Sequence, residues 1–191
     1  AEETLARQEG RIAALEDMML TDEVTGLYNR RGFFKEFSRE LARCERDMSA
    51  GGLLVLIDID NFVAINKNFG RLAGDACLRL IARALQAEIR AMDMAARLNA
   101  DEFVLLLSNT TKREVAGRVQ NLGWRLNNLS LAWYGEIIPV QASLGLRAYE
   151  QGEKAERIFG DADVQLHSMQ QRKRETGRAE KPGKTFEHVT H

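Results

Sequence analysis

The sequence is poor in the features that most quickly assign a chain to a class. It has only two cysteines, Cys44 and Cys77, which fall at apolar positions of helical patterns and lack C-x-x-C spacing. It has no apolar run of about 18 residues, as a membrane-spanning helix needs, and no secretory signal near its start. We therefore expect buried, reduced thiols in a cytoplasmic domain, either soluble or the cytoplasmic part of a membrane-attached protein.

The charge balance does not indicate a partner. Lysine and arginine number 27 against 28 aspartates and glutamates, a formal net charge of -1. Such a chain has no global attraction to nucleic acid or to an anionic membrane, and we expect contact with neither. The 191 residues suffice for one domain with a sizeable core and one appended element. The chain begins at Ala1 rather than Met, which is compatible with a fragment of a longer parent carrying sensor or effector domains.

A buried strand that ends in acids is the most informative stretch. Residues 53–57 are apolar without alternation, which indicates a strand buried on both faces, and Asp58 and Asp60 follow. Open sheets bind ligands beyond the carboxyl ends of their strands, and Mg²⁺ prefers carboxylate and carbonyl oxygens together with phosphates. Asp58 and Asp60 are therefore the first candidate ligands. The alternative is a solvated strand end that binds nothing.

The remaining pattern predicts alternating helices and strands. Helical periodicity is found at residues 31–46, 71–92, 112–129 and 155–172, and strand patterns at 94–98, 102–107, 131–134 and 137–146. This order predicts an α/β (α+β) domain with a mixed sheet flanked by helices, akin to a split βαβ arrangement.

Both ends are expected to lie outside that domain. Residues 1–21 indicate a polar helix with Leu5, Ile12 and Met19 seven apart. This stretch is either a dimerising signalling stalk or a helix that packs on its own domain. We expect the main domain to span residues 22–178, and residues 179–191 to form a flexible tail or linker.

The acids after the buried strand and the motifs around them resemble those of the GGDEF domain, the bacterial diguanylate cyclase family. The resemblance covers residues of about 22 to 175 and rests on several motifs in family order. They are DEVTGLYNRR (Asp22–Arg31), DIDNFVAIN (Asp58–Asn66), FGRLAGDACL (Phe69–Leu78), RLNADEF (Arg97–Phe103), SLG (Ser143–Gly145) and AD (Ala162–Asp163).

The resemblance implies a fold, a reaction and a metal site. Family members have a ferredoxin-type fold like that of nucleotidyl cyclases and polymerase palms. They condense two GTP molecules, one held by each subunit of a dimer, into cyclic di-GMP, with Mg²⁺ as cofactor. By this resemblance Asp58, the carbonyl of Ile59, Asp101 and Glu102 would hold metal. Asp101 would also act as the base for the attacking ribose hydroxyl, with Glu102 beside it.

The resemblance also implies two nucleotide sites. For GTP, Asn66 and Asp75 match the guanine-reading pair, while Arg71 and Arg174 fall at other substrate-binding positions. An aspartate accepts from the N–H groups of guanine, a donor pattern that adenine lacks, although Asp75 is also compatible with a helix cap. For cyclic di-GMP, the R-x-x-D pair Arg90 and Asp93 resembles the family's inhibitory site, although a salt-bridged helix end gives the same pattern.

Several positions depart from the family pattern. The signature reads NADEF, so Asn99 and Ala100 replace two glycines, and we expect Ala100 to cost roughly 1 kcal/mol if the turn needs a left-handed residue. Val63 and Gln170 stand where phosphate-contacting lysines are usual, and Arg71 replaces a histidine. Losing one such charged donor lowers a rate by about 100- to 1000-fold.

Three hypotheses follow. The first and favoured one is a degenerate, catalytically impaired domain that binds cyclic di-GMP, or GTP, and passes that state to an attached domain. The second is an active diguanylate cyclase. The third is a structural module that forms a homodimer through the N-terminal helix.

Overall fold

The computed structural model describes residues 20–179 and the isolated positions Arg7 and Leu15. The predicted heptad positions of the stalk and the predicted tail from residue 180 lie outside the described residues. None of the described helices is long and apolar enough to cross a membrane. The helices are α1 (Arg30–Glu45), α2 (Phe62–Phe69), α3 (Arg71–Glu88), α4 (Lys112–Asn127) and α5 (Ala155–Ala179). The strands are β1 (Gly52–Ile59), β2 (Met94–Arg97), β3 (Glu102–Ser108), β4 (Ser130–Trp133), β5 (Glu136–Pro139) and β6 (Ala142–Tyr149).

Four strands form the central sheet in the order β2-β3-β1-β6, and each neighbouring pair is antiparallel. The α/β class with split βαβ connectivity is confirmed, and an isolated parallel bridge joins Tyr28 to Ala96 of β2. The strands themselves, as far as the structure describes them, pair only antiparallel. The reason is that β3 lies between β1 and β2, which run parallel to each other without pairing. Local sequence patterns predict strands but not their lateral order.

The predicted strand over residues 137–146 is two strands. The hairpin pairing continues one residue past Pro139, because the Val140 amide donates to the Leu129 carbonyl at 2.9 Å. The Asn61 side chain then holds the connection between the two strands, donating to the Pro139 carbonyl at 2.9 Å and accepting from the Gln141 amide at 3.1 Å. Strand β5 pairs with β4 in a separate hairpin, and β6 joins the central sheet.

The core has a layer on each face of the sheet, which explains the unbroken apolar run of β1. On one face Leu53, Val55 and Ile57 pack with α3 and α4. On the other face Leu54 and Leu56 pack with α1 and α5. Both cysteines are free and buried, as predicted. The layer under α5 is close-packed, because a Cβ on Gly145 would overlap the Ala162 carbonyl.

Two helices end elsewhere than the sequence predicts. Helix α3 stops at Glu88, because Ile89 is extended (φ -88°, ψ 144°), so the R-x-x-D segment forms a turn beyond the helix. Helix α5 continues past residue 172 to Ala179. A turn precedes α1: the Asp22 carboxylate accepts from the Thr25 amide at 2.9 Å, and Asn29 caps α1.

Candidate active site

Four carboxylates gather where β1 and β3 meet, and we call Asp58, Asp60, Asp101 and Glu102 the acid cluster. Asp58 lies opposite Glu102 in the β1–β3 register, and the amide of Ile59 donates to the Asp101 carbonyl at 3.1 Å. Burial raises the pKa of Asp58 to about 6, and repulsion from Asp101, Asp60 and Glu102 adds to the effect. The strand pairing therefore concentrates negative charge at one end of the sheet.

An arginine that the sequence did not single out holds the signature turn between β2 and β3. The Arg97 guanidinium donates to the carbonyls of Asn99 (3.1 Å) and Ala100 (2.7 Å). It also pairs with the Asp22 carboxylate at 3.1 Å. The turn that precedes α1 is thus bonded to the turn that presents Asp101.

The signature turn does not carry the expected backbone strain. The described non-glycine residues with positive φ are Asp47, Asn109 and Tyr134. Asn99 and Ala100 are not among them, so the expected cost of a left-handed alanine is wrong for this chain. The backbone at Asn99 and Ala100 therefore does not require glycine.

Side chains of the protein already donate to three of the four acids. The Gln170 amide donates to Asp58 Oδ1 at 2.7 Å, and the Asn99 amide donates to Glu102 Oε2. Asp60 Oδ2 accepts from Lys173 Nζ at 2.9 Å and from the Ser143 hydroxyl at 2.9 Å. Gln170 and Lys173 are both on α5, so this helix closes over the end of β1.

The donor types at the acid cluster fit Mg²⁺. Among the described residues no three histidine, cysteine, aspartate or glutamate side chains converge closely enough to hold a metal ion. Mg²⁺, however, commonly uses one or two protein carboxylates and completes its shell with waters and phosphate oxygens. Burial is the main cause of the raised pKa of Asp58, and the three neighbouring carboxylates add negative charge that such a cation would compensate.

The predicted guanine pair lies at the junction of α2 and α3. Gly70, with φ 85°, ends α2 and begins α3. Asp75 is within α3 and half-exposed, so it is not the helix cap. Asn66 Oδ1 is buried without a hydrogen-bond partner, against Gly74, where a Cβ would overlap it. A buried, unsatisfied acceptor beside an available carboxylate is an arrangement that a donor-bearing base edge would complete.

The other predicted substrate-binding positions are less clearly assembled. Arg71 is exposed at the first position of α3, and Arg174 is exposed on α5. The described hydrogen bonds and ion pairs join neither arginine to the acid cluster. The apolar side chain of Val63 offers no hydrogen-bond donor. Because it is 75% exposed on α2, it is also not needed for packing.

The R-x-x-D pair is divided between solvent and core. Arg90 is exposed, but the Asp93 side chain is only 2% exposed and pairs with Arg118 of α4 at 3.1 Å. Asp93 also accepts from the backbone amides of Arg90 (2.9 Å) and Ser108 (3.2 Å). A cavity of about 500 Å³ lies between this turn and α1. Sequence reasoning missed Arg118, since no periodicity links it to Asp93.

A split βαβ antiparallel sheet with carboxylates after β1 and at the β2–β3 turn defines a palm-like nucleotidyl cyclase domain. The family model "Diguanylate cyclase, GGDEF domain" matches residues 19–176. The chain therefore belongs to the GGDEF family, as the sequence motifs predicted.

Relatives with different activities contain this domain. "Diguanylate cyclase DgcP" of Pseudomonas aeruginosa is 37% identical over 150 residues, which cover 78% of this chain and 22% of that protein. "Cyclic di-GMP phosphodiesterase NbdA" of the same species is 31% identical over 156 residues, covering 81% of this chain and 20% of that protein. The chain thus spans only about a fifth of either relative.

A solved structure supports the fold. The diguanylate cyclase SiaD of Pseudomonas aeruginosa, crystallised with its activator SiaC, has a TM-score of 0.78 and 27% identity. The match covers 90% of this chain and 65% of that chain. Because relatives named for synthesis and for hydrolysis share this region, family membership alone does not assign a reaction to this chain.

Proposed function

We propose that this domain is a cyclic di-GMP signalling module that binds GTP with Mg²⁺ at the acid cluster and is impaired in making cyclic di-GMP. The observation that carries the proposal is the acid cluster, in which three further carboxylates surround Asp58. Their mutual repulsion favours a site that takes up a cation together with an anionic ligand. When bound, Mg²⁺ would neutralise phosphate charge and polarise phosphoryl oxygens.

The proposed roles follow the motif positions that this chain shares with the GGDEF family. Asp58, the Ile59 carbonyl, Asp101 and Glu102 supply oxygen ligands, and Asp101 takes the proton of the attacking ribose hydroxyl. Asn66 and Asp75 accept from the guanine edge. Arg71 and Arg174 contact phosphates once the nucleotide is bound.

The impairment is proposed because two cationic donors are replaced. Val63 cannot donate to phosphate, and the neutral Gln170 amide is directed at Asp58. Without these preorganised charges the rate of condensation is expected to fall about 100- to 1000-fold for each lost donor. GTP binding is weakened less, because the acids and the guanine pair remain.

A second candidate is binding of cyclic di-GMP at Arg90 and Asp93. The exposed Arg90 and the cavity of about 500 Å³ that Asp93 helps to line favour it. Its cost is the Asp93–Arg118 ion pair, which guanine would have to replace. The third and fourth candidates are an active cyclase and a dimeriser that acts through the N-terminal helix. The proposed partners are a second copy of the chain, in a homodimer, and adjacent sensor or effector domains.

Isothermal titration calorimetry tests the first candidate against the second. GTP with Mg²⁺, and separately cyclic di-GMP, are titrated into the wild type, Asp101→Asn and Arg90→Ala. We expect Mg²⁺-dependent GTP binding that Asp101→Asn weakens at least about tenfold, since a metal-ligating carboxylate is lost, and that Arg90→Ala leaves unchanged. Chromatography of the reaction mixture measures any cyclic di-GMP formed.

Two outcomes would replace the proposal. Formation of cyclic di-GMP at the rate of an intact family member, measured in parallel with a forced dimer of this chain, would establish an active cyclase. Heat from cyclic di-GMP alone, abolished by Arg90→Ala, would establish the second candidate.

A further inference from the structure

Two side chains at positions that depart from the family pattern bond to the acid cluster. Gln170 donates to Asp58 Oδ1 at 2.7 Å, and Asn99 donates to Glu102 Oε2. Both are amides, which carry N–H donors but no charge. Each occupies an oxygen of a carboxylate to which the proposed function assigns a metal-binding role.

A third donor completes this arrangement one turn further along α5. Lys173 Nζ lies 2.9 Å from Asp60 Oδ2 and also donates to the Ala142 carbonyl. Lys173 lines a cavity of about 1020 Å³, so its side chain has room to leave Asp60 while the helix stays in place. Gln170 does not line that cavity and is half-buried between α5 and β1.

We propose that Gln170 and Asn99 are built-in competitors of the divalent cation, which hold the acid cluster organised in the cation-free protein. This inference rests on the proposed function, because it takes the acid cluster as the cation site. Mg²⁺ contacts carboxylate oxygens directly at about 2.0–2.1 Å, and an amide that donates to the same oxygen withdraws the electron density that the cation needs. A cation at Asp58 Oδ1 is therefore favoured by the release of Gln170.

The competition between Gln170 and the cation involves α5, because Gln170 is a residue of this helix. Gln170 is nine residues before the end of this helix at Ala179, and Lys173 lies between the two. Among the side chains that the structure describes, release of Gln170 removes one of two hydrogen bonds from α5 to Asp58 and Asp60. The state of the cation site is thereby coupled to the helix that leads toward the C-terminus.

The test is Mn²⁺ binding to the nucleotide-free protein, followed by the electron paramagnetic resonance signal of free Mn²⁺. Gln170→Ala is expected to bind Mn²⁺ about three- to tenfold more tightly than the wild type, because a hydrogen bond to a charged group no longer competes. Gln171→Ala makes the same substitution at the adjacent, exposed position and is expected to match the wild type. Asp58→Asn is expected to remove the gain when combined with Gln170→Ala.

A thermal measurement gives an independent readout. Without Mn²⁺, Gln170→Ala is expected to melt below the wild type, and saturating Mn²⁺ is expected to raise its melting temperature more. Asn99→Ala, on a different element, is expected to tighten Mn²⁺ binding in the same direction. Gln170→Met, which keeps side-chain length without a donor, replaces Gln170→Ala if that variant does not fold.

The two proposals fail in different ways. Equal or weaker Mn²⁺ binding by Gln170→Ala, with binding still dependent on Asp58, would overturn the competition and leave the cation site intact. Absence of Asp58-dependent Mn²⁺ binding in every variant would overturn both the competition and the cation site of the proposed function.

Discussion

Asp93 and Asp58 are both carboxylates within the sheet region, and their surroundings are opposite. Asp93 is almost fully buried and has a donor on every side: the guanidinium of Arg118 and the backbone amides of Arg90 and Ser108. Asp58 has one neutral side-chain donor, Gln170, and faces three other acids.

The difference separates a carboxylate that stabilises the fold from one that is available to a ligand. A buried charge with a full set of donors gains nothing from a further partner, and losing a donor is costly. A cluster of like charges is unfavourable by itself and gains from a cation, which is why strained electrostatics often marks a functional site. By this criterion the acid cluster is the better candidate for ligand binding, and the Asp93 corner is the better candidate for a structural role.

Removing the partner of Asp93 should have the largest effect on stability. Arg118→Ala leaves a buried carboxylate without its counter-ion, and we expect the free energy of unfolding to fall by about 3 kcal/mol. Urea unfolding followed by circular dichroism measures it. Arg125→Ala, which breaks the more exposed pair with Glu88, is the matched control and should cost less than about 1 kcal/mol.

A small effect of Arg118→Ala would break the comparison. If the variant unfolds within about 0.5 kcal/mol of the wild type, Asp93 does not depend on its ion pair. The Asp93 carboxylate would then be available to bind cyclic di-GMP, as the acid cluster is available to bind Mg²⁺ and GTP.

Neutralising Asp58 should act in the opposite direction. The folded-state pKa of about 6 lies above the ordinary value of 3.8, so the folded protein binds the proton more tightly than the unfolded chain. The contribution of Asp58 to the free energy of unfolding therefore falls as the pH rises from about 4 through 6. Asp58→Asn removes this penalty and is expected to stabilise the protein by about 1 kcal/mol at pH 7.5, a value reduced for solvent screening.

Thermal unfolding at pH 7.5 and at pH 4 checks the sign. The stabilisation by Asp58→Asn should be present at the higher pH and nearly absent at the lower one. Asp163→Asn, at an exposed position of α5, should change little at either pH. A destabilised Asp58→Asn at pH 7.5 would mean that Asp58 is compensated within the protein, as Asp93 is.

The sequence predicted the parts of this comparison that are local. The apolar run of β1, the acids that follow it and the signature acids on the neighbouring strand are contiguous patterns, and all of them lie where expected. The ion pair of Asp93 and the amide on Asp58 were not predicted, because they join residues 25 and 112 positions apart in sequence. No periodicity carries such information, and the lateral order of the strands escaped prediction for the same reason.

The signature turn gives the smallest expected effect and separates charge from backbone strain. Because Ala100 lacks a positive φ, Ala100→Gly should lower the free energy of unfolding by about 0.5 kcal/mol through added freedom of the unfolded chain. Gly26→Ala, at a position with φ 72°, is the converse control and should cost about 1 kcal/mol. Chemical denaturation of both variants provides the measurement. A stabilised Ala100→Gly would mean that the turn is strained and that the lost glycine contributes to impairment. A destabilised one excludes strain in the turn as a cause of the impairment and leaves the missing cationic donors at positions 63 and 170 as the first positions to restore.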